Sequence, residues 1–426
     1  MICDMIKRTK TVSIEISVKN SLKFPLRKDL TQRYGSRTNK IQKRSIKIMD
    51  LTKTNQTDQM VNNKRGKKTT WWKIPLKACG ILFWVAAGYV AYVFLTYSRI
   101  KDNVVLNVQG HSEQKLQTGQ EYTIVTYNIG FGAYTADFTF FMDEGKESRA
   151  RSKKSVLTCV NGTGDTALSF HPDIALYQEV DTDSTRSFHV DEAKLLQDKF
   201  DTVDIYDSVF AQNYHSAYLM YPLTSPHGAS NSGLLTESRY HITSALRRSL
   251  PIATGFKKIL DLDRCYSISR IPTENGKELI LINTHLSAYG TDAAQGNAQL
   301  EMIFADMKKE YKKGNYVICG GDFNHDFTVN SKEYFNPGTD KAYSWCNPFP
   351  DEILPAGFRK CTDYAEGMVS STRNTDIPYS ESSFTAILDG FIVSDNISCE
   401  YVQNIDTAYQ YTDHNPVVMK FKLLAE

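Results

Sequence analysis

Several features are scarce in this 426-residue chain. Proline numbers only 13, and no Pro/Ser-rich linker interrupts the long C-terminal part, which argues against separately folded modules there. The eight cysteines include no CxxC pair, so a tetrahedral zinc site built on that spacing is excluded. Internal repeats are absent, which excludes solenoids and propellers. Basic excess is also missing where it would matter. Residues 1–77 carry 20 Lys/Arg and five acids (+15), whereas residues 78–426 carry 30 basic and 43 acidic residues (−13). The C-terminal part therefore lacks the overall basic footprint of a non-specific duplex binder, although a local basic groove stays open. At 41% hydrophobic and 12% aromatic, the chain is too apolar for wholesale disorder.

Long uncharged runs are rare too, and the exception is informative. "ACGILFWVAAGYVAYVFLTY", Ala78 to Tyr97, has no formal charge. At about 1.5 Å per residue it matches a bilayer core of roughly 30 Å as a helix. Trp71 and Trp72 before it, and Tyr92 and Tyr97 near its end, suit interfacial belts. A buried core helix is the alternative, but the basic flank "NNKRGKKTTWWK" on one side only favours a span. The positive-inside rule then places residues 1–73 in the cytoplasm and everything after about 98 outside. The span lies too far from the N-terminus for an ordinary signal peptide, so it reads as an uncleaved anchor. The expected division is a basic, disordered tail (1–73), a transmembrane anchor (74–98), a linker (99–120) and a catalytic domain (121–426). Met49 and Met60 are alternative starts. Six cysteines follow the anchor, which permits disulfides without fixing their pairing, and Cys319 reads as a buried strand thiol.

Beyond the linker, short apolar runs alternate with helical patterns. Strands are expected at Tyr122–Gly130, Pro172–Val180, Ser232–Ser238, Glu278–Ser287, Tyr316–Asn324, Ala386–Ser394 and Asn415–Leu423. Helices are expected at Lys146–Cys159, Glu192–Lys199 and Asp292–Lys313, the last with Leu300, Ile303, Phe304 and Met307 at helical spacing. The pattern predicts one α/β domain of two sheets with covering helices.

Polar residues recur at the strand ends: Asn128, Glu179, His285, Asp322 with Asn324, Asp389, and Asp413 with His414. Each alone has an ordinary reading as a cap, turn or satisfied core residue. Gathered in one chain, carboxylate, amide and imidazole groups at the ends of several strands suit an active site with Mg²⁺ or Mn²⁺.

The ordered set "TYNIG", "QEV", "NTHLS", "GGDFN", "LDGFIVS" and "TDHNPV" resembles the endonuclease/exonuclease/phosphatase superfamily, in a membrane-anchored, bacterial-type form, from about Glu121 to Leu424. That family includes deoxyribonuclease I-like nucleases, abasic-site endonucleases, inositol polyphosphate 5-phosphatases and neutral sphingomyelinases. The resemblance implies a four-layer α/β sandwich with two central mixed sheets, and divalent-metal hydrolysis of phosphate esters. By motif, Glu179, Asn128 and Asp413 would hold Mg²⁺ (or Mn²⁺). Asp322 would orient or deprotonate water, while Asn324 and His285 would contact the phosphate. His414 would face phosphorus, its ring oriented by Asp389. Arg247, Arg264 and Arg270 are candidates for binding phosphate. His325 and Asp326 fall outside the matched motif.

A small phosphoester or lipid head group is the favoured substrate, since the anchor points to chemistry at or outside a membrane, with extracellular nucleic acid second. A catalytically silent binding domain is the alternative of another class. Oligomeric state is not legible.

Overall fold

A computed structural model of the chain describes residues 73–252, 263–288, 293–339, 343 and 345–425. The basic tail therefore lies outside the described residues, apart from Lys73.

The first element is helix α1 (Lys73–Thr96), none of it buried. It is long and apolar enough to cross a membrane by length and composition.

The remaining elements follow in chain order. They are β1 (Val104–Leu106), β2 (Val108–Gln109), β3 (Glu121–Asn128), α2 (Lys153–Leu168), β4 (Ile174–Asp181), α3 (Glu192–Asp201), β5 (Asp207–His215), β6 (Asn231–Ser238) and β7 (Ser244–Ser249). Then come β8 (Cys265–Pro272), β9 (Glu278–His285), α4 (Ala293–Tyr311), β10 (Tyr316–Asp322), β11 (His325–Asp326), α5 (Ser331–Phe335) and β12 (Asn347–Pro348). The last are β13 (Phe358–Lys360), β14 (Thr372–Arg373), β15 (Thr385–Ala386), β16 (Asp389–Ser394), β17 (Ile397–Asn404) and β18 (Val417–Leu423).

Two seven-stranded mixed sheets result, ordered β1-β7-β8-β9-β10-β16-β13 and β17-β18-β3-β4-β6-β5-β2. Each contains a parallel pair, β9/β10 and β3/β4, whose connection carries a helix: α4 in the first sheet and α2 in the second. Alternation along the strands explains the layering. On β3, Tyr122 and Ile124 join the core shared by both sheets, while Val125 and Tyr127 pack outward with Val156, Val160, Leu196 and Phe200 of α2 and α3. On β9 and β10, Leu279 and Ile318 face that shared core, while Ile280, Val317 and Cys319 pack with Leu300, Ile303, Phe304 and Met307 of α4. Helix, sheet, sheet and helix make the four-layer sandwich expected from the sequence.

All seven expected strands form, with ends that coincide or shift by at most three residues. Helices α3 and α4 match their expected ranges closely, but α2 starts later than expected. Ser152 caps it by accepting from Ser155 N at 3.1 Å. Residues 139–147 instead close a loop in which Thr139 binds Glu147. Within the expected linker, β1 and β2 are edge strands, pairing with β7 and β5. Strands β5, β7, β8 and β17 lie outside the expected set. Their runs mix charged and polar residues, as in SALRRS of β7, and so lack a sustained apolar signal.

A polar network ties the sheets together beside the site. Asn283 of β9 donates to the carbonyls of Tyr177 (3.3 Å) and Leu235 (3.0 Å) in the opposite sheet. Gln178 of β4 donates back to Asn283 at 2.9 Å. Burying these amides is tolerable because their polar atoms find partners.

Candidate active site

The register of three adjacent strands places the first catalytic candidates in a row. Asp322 at the end of β10 lies opposite His285 of β9 on one side and Asp389 of β16 on the other. The two glycines preceding Asp322 are dictated by packing. Gly321 has φ +143°, and a Cβ there would sit 2.0 Å from the Thr284 carbonyl oxygen. A Cβ on Gly320 would press against Phe391 and Leu176 at 2.7 and 2.9 Å.

The second sheet supplies the rest. Asn128, at the end of β3, donates to Asp322 Oδ2 at 3.0 Å and accepts from Gly130 N. His414, in the approach to β18, has Nδ1 2.8 Å from Asp389 Oδ2 and Nε2 3.8 Å from Asp322 Oδ2. Ser371 fixes Asp389, donating to Oδ2 at 2.7 Å while accepting from the Leu388 and Asp389 amides. Thr372 Oγ1 lies 3.3 Å from His414 Nε2.

Glu179 sits in an irregularity of β4 where its register with β6 shifts, at φ +55°. A left-handed non-glycine residue costs about 1–2 kcal/mol, and such strain clusters at functional sites. Asn324 is likewise left-handed (φ +47°). Its amide N donates to Asp322 Oδ1 at 2.9 Å, and its side chain donates to Leu286 O at 2.8 Å.

Electrostatics separates the roles. Asp322 is pushed up to about 7, first by burial and then by the Asp389 charge, against the opposing pull of His414. Burial alone would depress His414, but the charge and hydrogen bond of Asp389, with Asp413 and Asp322 behind, hold it at about 10. His414 is thus an imidazolium at neutral pH, both ring nitrogens donating. His285 is driven well below its ordinary value by burial, then by the charges of Arg264, His414 and Arg186. It is neutral, with Nε2 3.5 Å from Asp322 Oδ2 and a buried Nδ1 that finds no hydrogen-bond partner among the described residues. Asp413 rises to about 6, through burial and then the balance of the His414, Glu179 and Arg373 charges.

The donor set fits a hard divalent cation. Glu179 and Asp413 are carboxylates close enough for one charge to raise the other's pKa, and Asn128 adds an amide oxygen. Asp322, Asp389 and His414 also present ligand-type atoms within 4.8 Å of one another. That trio makes a poorer cage: the imidazolium has no lone pair to offer, and its Nδ1–H is committed to Asp389.

Three arginines are candidates for binding phosphate. Arg264 is buried and its charge acts on His285. Arg247 and Arg270 bind groups of their own. Arg247 donates to the carbonyls of Gln212, Lys101 and Asp263, a structural clamp. Arg270 pairs with Glu278 and Glu310, both at 2.6 Å, level with Ile280, five residues back from His285 along β9. His325 and Asp326 shape the loop. His325 Nδ1 bonds Phe323 O at 2.7 Å, and Asp326 accepts from the Thr328 amide and hydroxyl.

Sequence reasoning missed Ser371, Thr372 and Arg186. The first two lie in an irregular stretch without periodic signal. Arg186 binds Asp181 through two nitrogens, lies 4.0 Å from the centre of the Phe131 ring and is within electrostatic reach of Glu179. The pair Asp181/Arg186, at (i, i+5) from the end of β4 into the segment after it, carries no recognisable motif.

No protein-family model and no curated protein matches the chain at the sequence level. Among solved structures, an endonuclease/exonuclease/phosphatase from Beutenbergia cavernae aligns at 13% identity over 72% of each chain, with a TM-score of 0.48. The 2',3'-cyclic phosphatase ANGEL2 aligns at 12% identity over 77% of this chain and all of its own, TM-score 0.47. Truncated TDP2 from Caenorhabditis elegans aligns at 16% identity over 72% of this chain and 98% of its own, TM-score 0.43.

Proposed function

We propose that the protein is a membrane-anchored, divalent-metal-dependent phosphoesterase. The observation that carries this reading is the row His285–Asp322–Asp389, joined across the sheets to His414 and Asn128. A carboxylate poised near neutrality stands beside an imidazolium held by its own carboxylate, which is an arrangement for moving a proton from water while offsetting charge on a phosphate.

Glu179, Asn128 and Asp413 would hold Mg²⁺ or Mn²⁺. When bound, the ion supplies Lewis-acid stabilisation of the charge that develops on phosphate and leaving oxygens. Asp322 accepts the proton of the attacking water, and the water oxygen bonds to phosphorus as the ester P–O bond breaks in line. His285 and His414 donate through Nε2–H to phosphate oxygens, and Asn324 through its remaining amide hydrogen. Asp389 and Ser371 hold the His414 tautomer and ring.

The acidic balance of residues 78–426 favours a small phosphoester or lipid head group over a nucleic acid. Helix α1 as a single span, with the basic tail cytoplasmic, would place the catalytic domain outside the cytoplasm.

The test is turnover by the full-length protein in detergent of a generic phosphomonoester, a phosphodiester, sphingomyelin, sugar phosphates and plasmid DNA. Mg²⁺-dependent hydrolysis of one class, lost in Asp322→Asn and His414→Ala, is the expected result. Folded protein that turns over none of them and binds no Mg²⁺ by calorimetry would instead indicate a silent binding domain.

A further inference from the structure

The segment that carries β13 continues along β17 in the opposite sheet. Arg359 donates to the carbonyl of Ile397 at 2.8 Å, and Tyr364 forms a parallel bridge with Val402. Ala365 N then donates to Val402 O at 3.1 Å, and Glu366 N to Gln403 Oε1 at 2.8 Å. The first two contacts join residues the same interval apart, 38. Cys361 and Cys399 are separated by that interval as well. The two segments run parallel here, the Cys361 and Cys399 thiols meet in a hydrogen bond, and Cys399 packs against the apolar cluster that contains Cys361. Cys265, Cys319 and Cys346 lie in three other apolar clusters.

We propose that Cys361 and Cys399 form a disulfide that staples the outer strands of the two sheets to each other. Edge strand β13 belongs to one sheet and edge strand β17 to the other, so the bond crosses the sandwich. Its position bears on the site. Cys361 N donates to Phe391 O at 2.9 Å, two residues from Asp389. Cys399 lies on the strand paired with β18, whose approach carries His414. The staple therefore holds the rims from which the Asp389–His414 contact is built.

The chemistry divides between the two thiols. Cys399 is half-exposed, and its hydrogen bond from Cys361 holds its pKa below the ordinary thiol value. Cys361 is buried, and that same contact, followed by burial, holds its pKa far above. The Cys399 thiolate attacks one sulfur of an external disulfide of the oxidised-glutathione type and expels one thiolate. Cys361 loses its proton and its sulfur attacks Cys399 Sγ in the mixed disulfide, expelling the second thiolate. Two cysteine thiols are oxidised, and one external disulfide is reduced to two thiols. Such an oxidant is met in oxidising compartments, where the proposed extracytoplasmic placement would put this domain.

The test uses the full chain in detergent, exposed to oxidised glutathione, alkylated with N-ethylmaleimide, and digested without reductant for mass spectrometry. The expected product is one peptide pair joined through Cys361 and Cys399 and released by dithiothreitol. The oxidised protein should also melt at a higher temperature than the reduced protein, and this difference should vanish in the Cys361→Ser/Cys399→Ser double variant. Alkylation of both cysteines in the folded, oxidised protein would overturn the proposal. So would either of them bonded to another cysteine.

Discussion

His414 is charged at neutral pH because three carboxylates surround a ring that burial alone would keep neutral. Asp389 contributes most, through a 2.8 Å hydrogen bond. Replacing Asp389 by Asn keeps the shape but removes that charge, and should lower kcat by about 10²–10³-fold while leaving the melting temperature within a few degrees. Steady-state kinetics with a melting curve checks both halves. A second residue reports on stability rather than catalysis. His227 is buried against Phe131, Phe140 and Phe141, its Nδ1 bonded to Ser148 O at 2.7 Å. Burial, then the Arg186 charge, depresses its pKa to about 4, with the Ser148 carbonyl and Asp181 opposing. The unfolded chain, with an ordinary histidine, takes up the proton first as pH falls. Stability is therefore full above about 6.5 and is lost on descending toward 4, by up to about 3 kcal/mol. Denaturant titrations from pH 7 to 4 should show that slope in the wild type, and a shallower one in His227→Gln.

At the scale of elements, short loops and packed strands fix where the site residues stand. Gly321→Ala would drive a Cβ into the Thr284 carbonyl and displace Asp322, its chain neighbour, from the row with His285 and Asp389. The cost should exceed about 3 kcal/mol, read as a large fall in the denaturation midpoint together with lost activity. The buried strands of the sheet centres were legible because each is a continuous β-branched or apolar run ending in a polar residue. YVICGGD is an example, buried along its whole length. The outer strands were not: β7, second from the edge of its sheet, and β17, at the edge of the other, mix polar and apolar residues, which hides them. The same division holds at the site. Asp322, Asn324, Asp413 and His414 stand in compact motifs, whereas Ser371 reaches Asp389 only through an irregular loop. Arg247 looked available for phosphate in "RRSLP", yet the fold spends its donors on three backbone carbonyls.

At the scale of the whole molecule, the two sheets meet through an apolar core and a few buried amides. Asn283→Leu would strand the Leu235 carbonyl and the Gln178 amide, and should cost about 2–4 kcal/mol in denaturant unfolding. Helix α1 exposes Ile81, Leu82, Phe83, Trp84 and Val85. If it spans a bilayer as proposed, the protein will stay in the membrane fraction after alkaline carbonate washing, and deletion of residues 73–96 will release it.

The most direct measurement of the central claim is hydrolysis rate against Mg²⁺ or Mn²⁺ concentration for the wild type, Glu179→Gln and Asp322→Asn. The account predicts that Glu179→Gln raises the half-saturating metal concentration at least about tenfold, and that Asp322→Asn lowers the saturated rate with little change in that concentration. A wild-type rate independent of added metal and unaffected by a chelator would contradict it, as would full activity in Asp322→Asn.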